Sequence, residues 1–451
     1  MARLRLQPGL FAGGLVLLLA LPASAESLGS VVRRTLETNP DLKAMGHNRL
    51  AIDQDLEAAR GFGLPSVDVR AGIGQRQTEQ SATPGGGARG YRERNRGEAG
   101  VVVSQRLFDG HETKSQVERQ VNRVNSARSR VADTANAIAL QATQSYLEIM
   151  RTSRVLAIAS ANVKTHEFLL DKVKTRVEGG RGPGAETAQA TARLQAAKAS
   201  RVEAQARHKD AESLFRAVVG TAPPRKLEAV NPPVRLLPKS VDIAVAQAQQ
   251  GAPSIVARMF DSAAAAAAIN VARAEFYPKV TAEFSADYTY DVDRTYGRRT
   301  DVSGMLVYRQ NLYRGGIDTA RLREARHRAD EASSSADLMR RTVEREVRLS
   351  WSALNSAQSR SEIIGRQLAQ NRIVIDAYNQ QFELGQRTLI DLLDVQNELF
   401  VNETTLTTET FVGQFNVFRV LAAMGRLVPA LGAEYPDAAK RIPIPTSAII
   451  P

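Results

Sequence analysis

A chain of 451 residues is long enough for one large or two to three ordinary domains, and this one contains no cysteine. That excludes a disulfide framework and a lipid-modified N-terminal cysteine. Its 60 Lys and Arg against 48 Asp and Glu give a formal charge of +12, but the cations sit along Glu- and Gln-bearing helical patterns. Such a balance reads as a solvated face, not as a nucleic-acid footprint.

The N-terminus reads as a secretory signal. Arg3 and Arg5 form its charged region, residues 10–21 its apolar region, and Ala23-Ser24-Ala25 a small-residue cleavage site before Glu26. Residues 1–25 are therefore expected to be removed on export. Downstream, no apolar run approaches the ~18 residues of a spanning helix. An integral protein would have to enter the membrane by β-strands.

The rest reads as two structural repeats, 26–220 and 241–428, joined by a proline-rich linker at 221–240 and followed by a tail at 429–451. Pro40 matches Pro253 and Pro65 matches Pro278 at one constant offset. Beyond a single loop a second constant offset matches Gln105 with Gln310, Gly110 with Gly315, Gly180 with Gly385 and Gly220 with Gly425. The first repeat predicts a helix, strands at about 66–79 and 97–108, a long helix at 110–178, a tip at 179–186 and a helix at 187–219. The second predicts a helix, strands at about 279–291 and 301–313, a long helix at 316–382, a tip at 383–391 and a helix at 392–427.

Alternation carries the strands. Val280, Ala282, Phe284, Ala286, Tyr288 and Tyr290 interleave with Thr281, Glu283, Ser285, Asp287 and Thr289, and Val67, Val69, Ala71 and Ile73 form a weaker counterpart. The lengths suit tilted membrane strands, and an apolar-out, polar-in dyad suits a water-filled barrel. Pro65 and Pro278 stand where helix gives way to strand. Residues 81–96 and 292–300 read as outward loops. An open four-stranded sheet would leave its edges unsatisfied in lipid, and closure takes about eight strands or more. The barrel is therefore expected to be shared between chains.

Periodicity carries the rods. Between Gly110 and Gly179 there is no proline or glycine, and apolar residues recur at heptad spacing through Val121, Ala135, Ala142, Ile149, Leu156, Val163, Leu170 and Val177. About 65 residues at ~1.5 Å each make a rod of ~100 Å.

No catalytic constellation is visible, so no enzyme activity, cofactor or metal is expected. His47, His111, His166, His208 and His327 are scattered, and Gly85-Gly86-Gly87 lacks the Lys-Ser/Thr of a phosphate-binding loop. The tip of the second repeat holds the one candidate site. Asp391 and Asp394 share a helix face. Two readings stand open: carboxylates repeated in rings around a pore, or Asp391 completing a capping box with Thr388.

Three stretches carry a resemblance: Asn39-Pro40-Asp41-Leu42; Gln105-Arg106-Leu107-Phe108-Asp109-Gly110 with its echo at 310–316; and Phe382-Glu383-Leu384-Gly385-Gln386-Arg387-Thr388-Leu389-Ile390-Asp391-Leu392-Leu393-Asp394. Together they resemble the TolC-like outer membrane efflux protein family over nearly the whole exported chain, and most of all its type I secretion channels. The resemblance implies a mixed α+β membrane protein: a homotrimer with a twelve-stranded β-barrel, four strands per chain, set in outer-membrane lipid. A long periplasmic α-helical coiled-coil barrel would continue it. Its tips, at Gly180, Gly385 and Thr388, would meet a periplasmic adaptor (membrane fusion) protein and an inner-membrane ABC or other pump. Cargo would be a secreted protein, including large adhesins, or small molecules as in multidrug efflux. The runner-up reading is a soluble periplasmic coiled-coil adaptor. The implied constriction comprises Asp391, Asp394, Arg387 and Glu186, with Arg387 helping to hold the coiled coils closed. The first tip departs from the family pattern: it reads Gly179-Gly180-Arg181-Gly182-Pro183-Gly184-Ala185-Glu186 and lacks a Thr-Asp pair, so Glu186 stands in for the aspartate.

Overall fold

The computed structural model describes residues 26–80, 90–180, 182–290 and 297–440. The expected signal at 1–25, part of each expected outer loop, Arg181 and the end of the tail lie outside them. The element order helix, helix, strand, strand, long helix, helix occurs twice.

Two short helices open each half. Helix α1 (Leu28–Thr38) begins at Ser27, whose hydroxyl accepts from the Ser30 amide. Helix α2 (Pro40–Gly61) begins at Asn39, whose side chain accepts from the amides of Asp41 and Leu42, with Pro40 in the first turn where its missing N–H costs nothing. Strands β1 (Ser66–Gln80) and β2 (Gly90–Phe108) follow, then α3 (Glu112–Glu178) and α4 (Gly184–Val219). The second half supplies α5 (Val241–Gly251), α6 (Pro253–Ala274), β3 (Lys279–Tyr290), β4 (Arg298–Arg309), α7 (Ile317–Glu383), α8 (Leu389–Ala423) and the one-turn α9 (Leu427–Ala430). Helices α3 and α7 are 67 residues each. Pro65 and Pro278 immediately precede β1 and β3.

Several boundaries differ from the expectation, each for a local reason. Strand β2 begins at Gly90, because residues 90–96 pair with β1 although they hold no apolar alternation to announce it. Strand β4 spans Arg298–Arg309 and releases Gln310, Asn311, Leu312 and Tyr313 before the left-handed glycines Gly315 and Gly316. Helices α4 and α8 start inside the expected tips, at Gly184 and Leu389, because Pro183 and Thr388 supply their N-terminal boundaries.

The four strands form one antiparallel sheet in the order β1-β2-β3-β4. Its register sets Val67 against Val103, Val103 against Phe284, Val69 against Val101, Val101 against Ala286 and Ala286 against Val302. Every alternating apolar set thus falls on one face. No described element covers that face: Val69 is 76% and Ile73 94% exposed. The opposite face is polar. There Ser66 meets Ser104 at 2.8 Å, Ser285 meets Ser303 at 2.9 Å, and Arg70 of β1 reaches across β2 to Asp287 of β3 at 2.7 Å. The bridge passes over Gly100, where any Cβ would run into the Asp287 carboxylate. A register shift between Arg106 and Phe108 ends the ladder where the sheet gives way to the rods.

Among the described residues one helix is long and apolar enough to cross a membrane, contrary to the expectation that none would be. It is α6, whose apolarity comes largely from a run of alanines. It lies along α3 and α7. Its Asp261 accepts from the Ser126 hydroxyl at 2.5 Å and from Arg130 at 2.7 Å, ties to α3 that fix it in the helical body. The largest core gathers Val31, Val32, Tyr146, Phe215, Phe418 and Leu427 around the middle of α3. The Tyr146 hydroxyl lies 2.8 Å from the carbonyls of both Glu26 and Glu228, so it joins the segment before α1 and the linker to the rod. Burial pushes its pKa up to about 12.

The sheet generates a test. Phe284→Arg, on the apolar face, is expected to cost about 2–4 kcal/mol near mid-bilayer and to deplete the membrane-assembled protein. Ser303→Arg, on the polar face and diagonal to Glu283 and Asp287, is expected to assemble normally. Quantifying assembled protein in membrane fractions separates the two; equal losses would reverse the face assignment.

Candidate gate at the helical-hairpin tips

At the end of the rods away from the sheet, α3 turns into α4 and α7 into α8. The second turn is the more regular. Gly385 takes φ 74°, its amide donates to the Phe382 carbonyl at 3.1 Å, and the Gln386 amide donates to the Gln381 carbonyl at 2.8 Å. These are the paired bonds that close a helix through a left-handed glycine. Gly180 holds the equivalent place in the first turn at φ 72°. Neither glycine is crowded, so backbone conformation alone demands the residue type.

Thr388 and Asp391 form a full capping box. The Asp391 amide donates to the Thr388 hydroxyl at 3.3 Å, the Thr388 amide donates to Asp391 Oδ2 at 3.3 Å, and the Thr388 hydroxyl donates to the same oxygen at 2.8 Å. The capping reading left open by the sequence is therefore realised in this chain. Asp394 is engaged differently: it accepts from Arg193 Nη2 of α4 at 2.9 Å and so links the two hairpins. Lys172 of α3 pairs with Glu383 of α7 at 2.6 Å, and the Arg176 guanidinium stacks 4.9 Å from the Phe382 ring. Beneath these contacts Leu169, Val173, Ala190, Phe382, Leu389, Leu392 and Leu393 pack together from all four helices. The two tips are one packed unit.

Arg387 turns back onto its own hairpin. Its Nε donates to Gln381 Oε1 at 3.1 Å, its guanidinium lies 4.4 Å over the Tyr378 ring, and Asp391 stands 3.9 Å away. Glu186 sits in the first turn of α4, where a carboxylate meets the positive end of the helix. Among the described residues no bond joins Arg387 to Glu186. Of the four constriction candidates, the chain brings together Arg387 and Asp391, gives Asp394 to Arg193, and leaves Glu186 on the other hairpin.

Sequence reasoning missed Arg193, Lys172, Arg176 and His166. His166 lies buried on α3, and burial, together with the nearby Arg193, holds its imidazole below the ordinary pKa range. The available signal was a polar residue interrupting the heptad core between Val163 and Leu170. Among the described residues no group of three or more His, Asp or Glu side chains could hold a metal ion.

Two tests follow. Thr388→Ala is expected to cost about 1 kcal/mol at the start of α8 and to raise proteolytic cleavage at the second tip. His166 is held neutral in the fold, so the folded state binds fewer protons than the unfolded chain. Its contribution is present above the ordinary imidazole pKa of about 6.5 and is lost as pH falls through the lower folded value. Hydrogen-exchange protection at the tip, corrected for the intrinsic pH dependence of amide exchange, is expected to fall between pH 7.5 and pH 5, and His166→Gln to flatten that dependence.

Comparison with known proteins was consistent across sequence and structure. Residues 31–221 and 244–409 match the family described as Outer membrane efflux protein, and the gap between the two stretches falls on the linker. Outer membrane efflux protein BepC of Brucella suis is 23% identical over 406 residues, covering 90% of this chain and 86% of that protein. Outer membrane protein TolC of Vibrio cholerae is 21% identical over 410 residues, covering 89% and 91%. Among solved structures, the outer-membrane channel OprN superposes with a TM-score of 0.77 at 20% identity, covering 88% of this chain and 90% of that one. The open state of the Neisseria gonorrhoeae MtrE outer membrane channel gives 0.75 at 17% identity, covering 89% of each.

Proposed function

The chain belongs to the outer membrane efflux protein family, a family of TolC-like channels located in the outer membrane and extending into the periplasm, and we propose that it acts as one subunit of a homotrimeric channel-tunnel. Three four-stranded sheets would close a twelve-stranded barrel, and three sets of rods would continue it as a periplasmic tunnel. The observation that carries this reading is the sheet. It has an uncovered apolar face, a polar face bearing the Arg70–Asp287 bridge, and no partner in the described chain for the outer edges of β1 and β4. In lipid such edges must pair, and further copies of the same sheet are the simplest partners. A soluble coiled-coil adaptor would gain nothing from Ile73 standing 94% exposed.

The rods lack any chemistry of their own, so energy is proposed to come from an inner-membrane pump coupled through a periplasmic adaptor at the Gly180 and Gly385 tips. The cargo is secreted protein, as in type I secretion, or small molecules, as in drug efflux. Deleting the gene and measuring surface-displayed protein and drug sensitivity in parallel assigns it.

The oligomer is tested by light scattering of the detergent-purified chain, with a trimer expected. A dimer, or a soluble monomer without detergent, would overturn the shared barrel. For the gate, Arg387→Ser removes the group that ties Tyr378, Gln381 and Asp391 around the turn. It is expected to raise single-channel conductance in planar bilayers, and unchanged conductance would remove Arg387 from the gate.

A further inference from the structure

Between the rods and the linker lies a cavity of about 840 Å³ that neither the sheet nor the tips use. Sites for small molecules commonly occupy ~300–1,000 Å³. Its walls are helices α3, α4 and α8, and its roof is the linker from Pro223 to Leu227. The α3 and α4 walls are tied where Thr152 Oγ1 meets His208 Nδ1 at 3.0 Å. The roof is pinned at one end by three bonds. The Glu26 amide donates to the Lys226 carbonyl at 3.3 Å, the Glu228 amide to the Glu26 carbonyl at 3.2 Å, and the Tyr146 hydroxyl to the Glu228 carbonyl at 2.8 Å. At its other end Pro223 and Pro224 restrict φ. Fixed backbone therefore holds the space open.

The lining divides into two chemistries. Ile149, Met150, Leu227, Leu406 and Phe411 supply apolar surface. Arg154 of α3 and Arg225 and Lys226 of the linker bring three cations to the same cavity. Among the described residues none of the three side chains holds a partner. Nearby cations of the same helices behave otherwise: Arg151 bonds Glu148, and Arg207 bonds Glu203. Glu212 is the one carboxylate in the lining, and it stands 3.7 Å from His208 Nε2. Positive charge from two separate segments is thus gathered beside apolar surface, and the chain supplies no counter-charge to the three cations.

We propose that this cavity binds an amphiphilic anion, with a carboxylate or phosphate head on Arg154, Arg225 and Lys226 and an aliphatic chain on the apolar wall. Arginine suits such a head because its planar fork meets carboxylate or phosphate by two parallel bonds, and lysine adds a point charge. A mostly apolar pocket with a few polar groups to fix orientation is the usual form of a site for a small ligand. Bound there, the head joins the rod at Arg154 to the linker at Arg225 and Lys226. The cavity lies within one chain, so the proposal does not rest on the shared barrel.

The chain has no cysteine, so Ser153→Cys places a single thiol in the cavity wall. Its alkylation by neutral iodoacetamide is timed on the full-length protein in phosphatidylcholine nanodiscs, with decanoate, decyl phosphate or decanol present. At least one of the two anions is expected to slow the reaction tenfold or more, and decanol to leave it nearly unchanged. The anion effective at the lower concentration identifies the head. Adding Arg154→Gln, Arg225→Gln and Lys226→Gln is expected to raise the concentration needed at least tenfold. Lys226→Gln alone, at an exposed linker position, is expected to lose part of the protection and decides the matter where the threefold variant fails to assemble. Decanol protecting as well as the anions overturns the site, as does the absence of protection by either anion. Protection that Lys226→Gln leaves untouched overturns it too. None of these outcomes bears on the channel reading.

Discussion

Backbone amides and carbonyls at the edges of a sheet cannot go unpaired in hydrocarbon, and most of this architecture answers to that constraint. A single chain supplies four strands in register, with the alternating apolar residues on one face and the edges of β1 and β4 open. Among the described residues nothing folds back to cover either edge or the apolar face. The helical body instead buries its own core around Tyr146 and Phe418, well away from the strands. The sheet and the rods are thus stabilised by different solvents. In the proposed trimer the rods would be completed by water and by one another, the sheet by lipid and neighbouring sheets.

The joint between those two regimes is built from charge. Lys279, the first residue of β3, is 2.8 Å from Glu112 at the start of α3 and 3.0 Å from Glu275 just past α6. Arg314 bonds the same Glu275 and approaches Asp318 of α7. Gln105 of β2 donates to the Gly63 carbonyl at 2.8 Å, just before Pro65. Both long rods and strand β3 therefore converge on a few carboxylates at one level, where the chain turns from helix to strand. Pro65 and Pro278 stand immediately before the strands there, and the ion pairs tie the start of β3 to both rods.

Fold class was legible because both of its periods are long and regular. The heptad run through Ile149 and Val163, and the alternation from Val280 to Tyr290, each persist over enough residues to exclude the other period. What escaped was structure without apolar contrast. Residues 90–96 pair as strand although Arg alternates there with Tyr, Glu and Asn, since backbone pairing in water needs no hydrophobic face. At the tip, Thr388 and Asp391 could be read as a cap because capping is local in sequence. Arg193 could not be found, because its partner Asp394 lies 201 positions away and only the packing of one hairpin on the other brings them within 2.9 Å.

The tip contacts also suggest why a gate would be assembled from such modest interactions. Arg193–Asp394 and Lys172–Glu383 are exposed pairs between hairpins, each contributing about 0–1 kcal/mol. The apolar cluster of Leu392, Phe382 and Val173 beneath them keeps each chain's two tips together whether or not those pairs are intact. Cohesion of the two tips within a chain therefore does not depend on those pairs. The buried cluster holds the hairpins as one body, while the exposed pairs between them add little to that cohesion. A gate held by a buried ion pair would require several kcal/mol per subunit to release. One held by exposed pairs requires only that a partner bind the open arrangement somewhat better than the closed one.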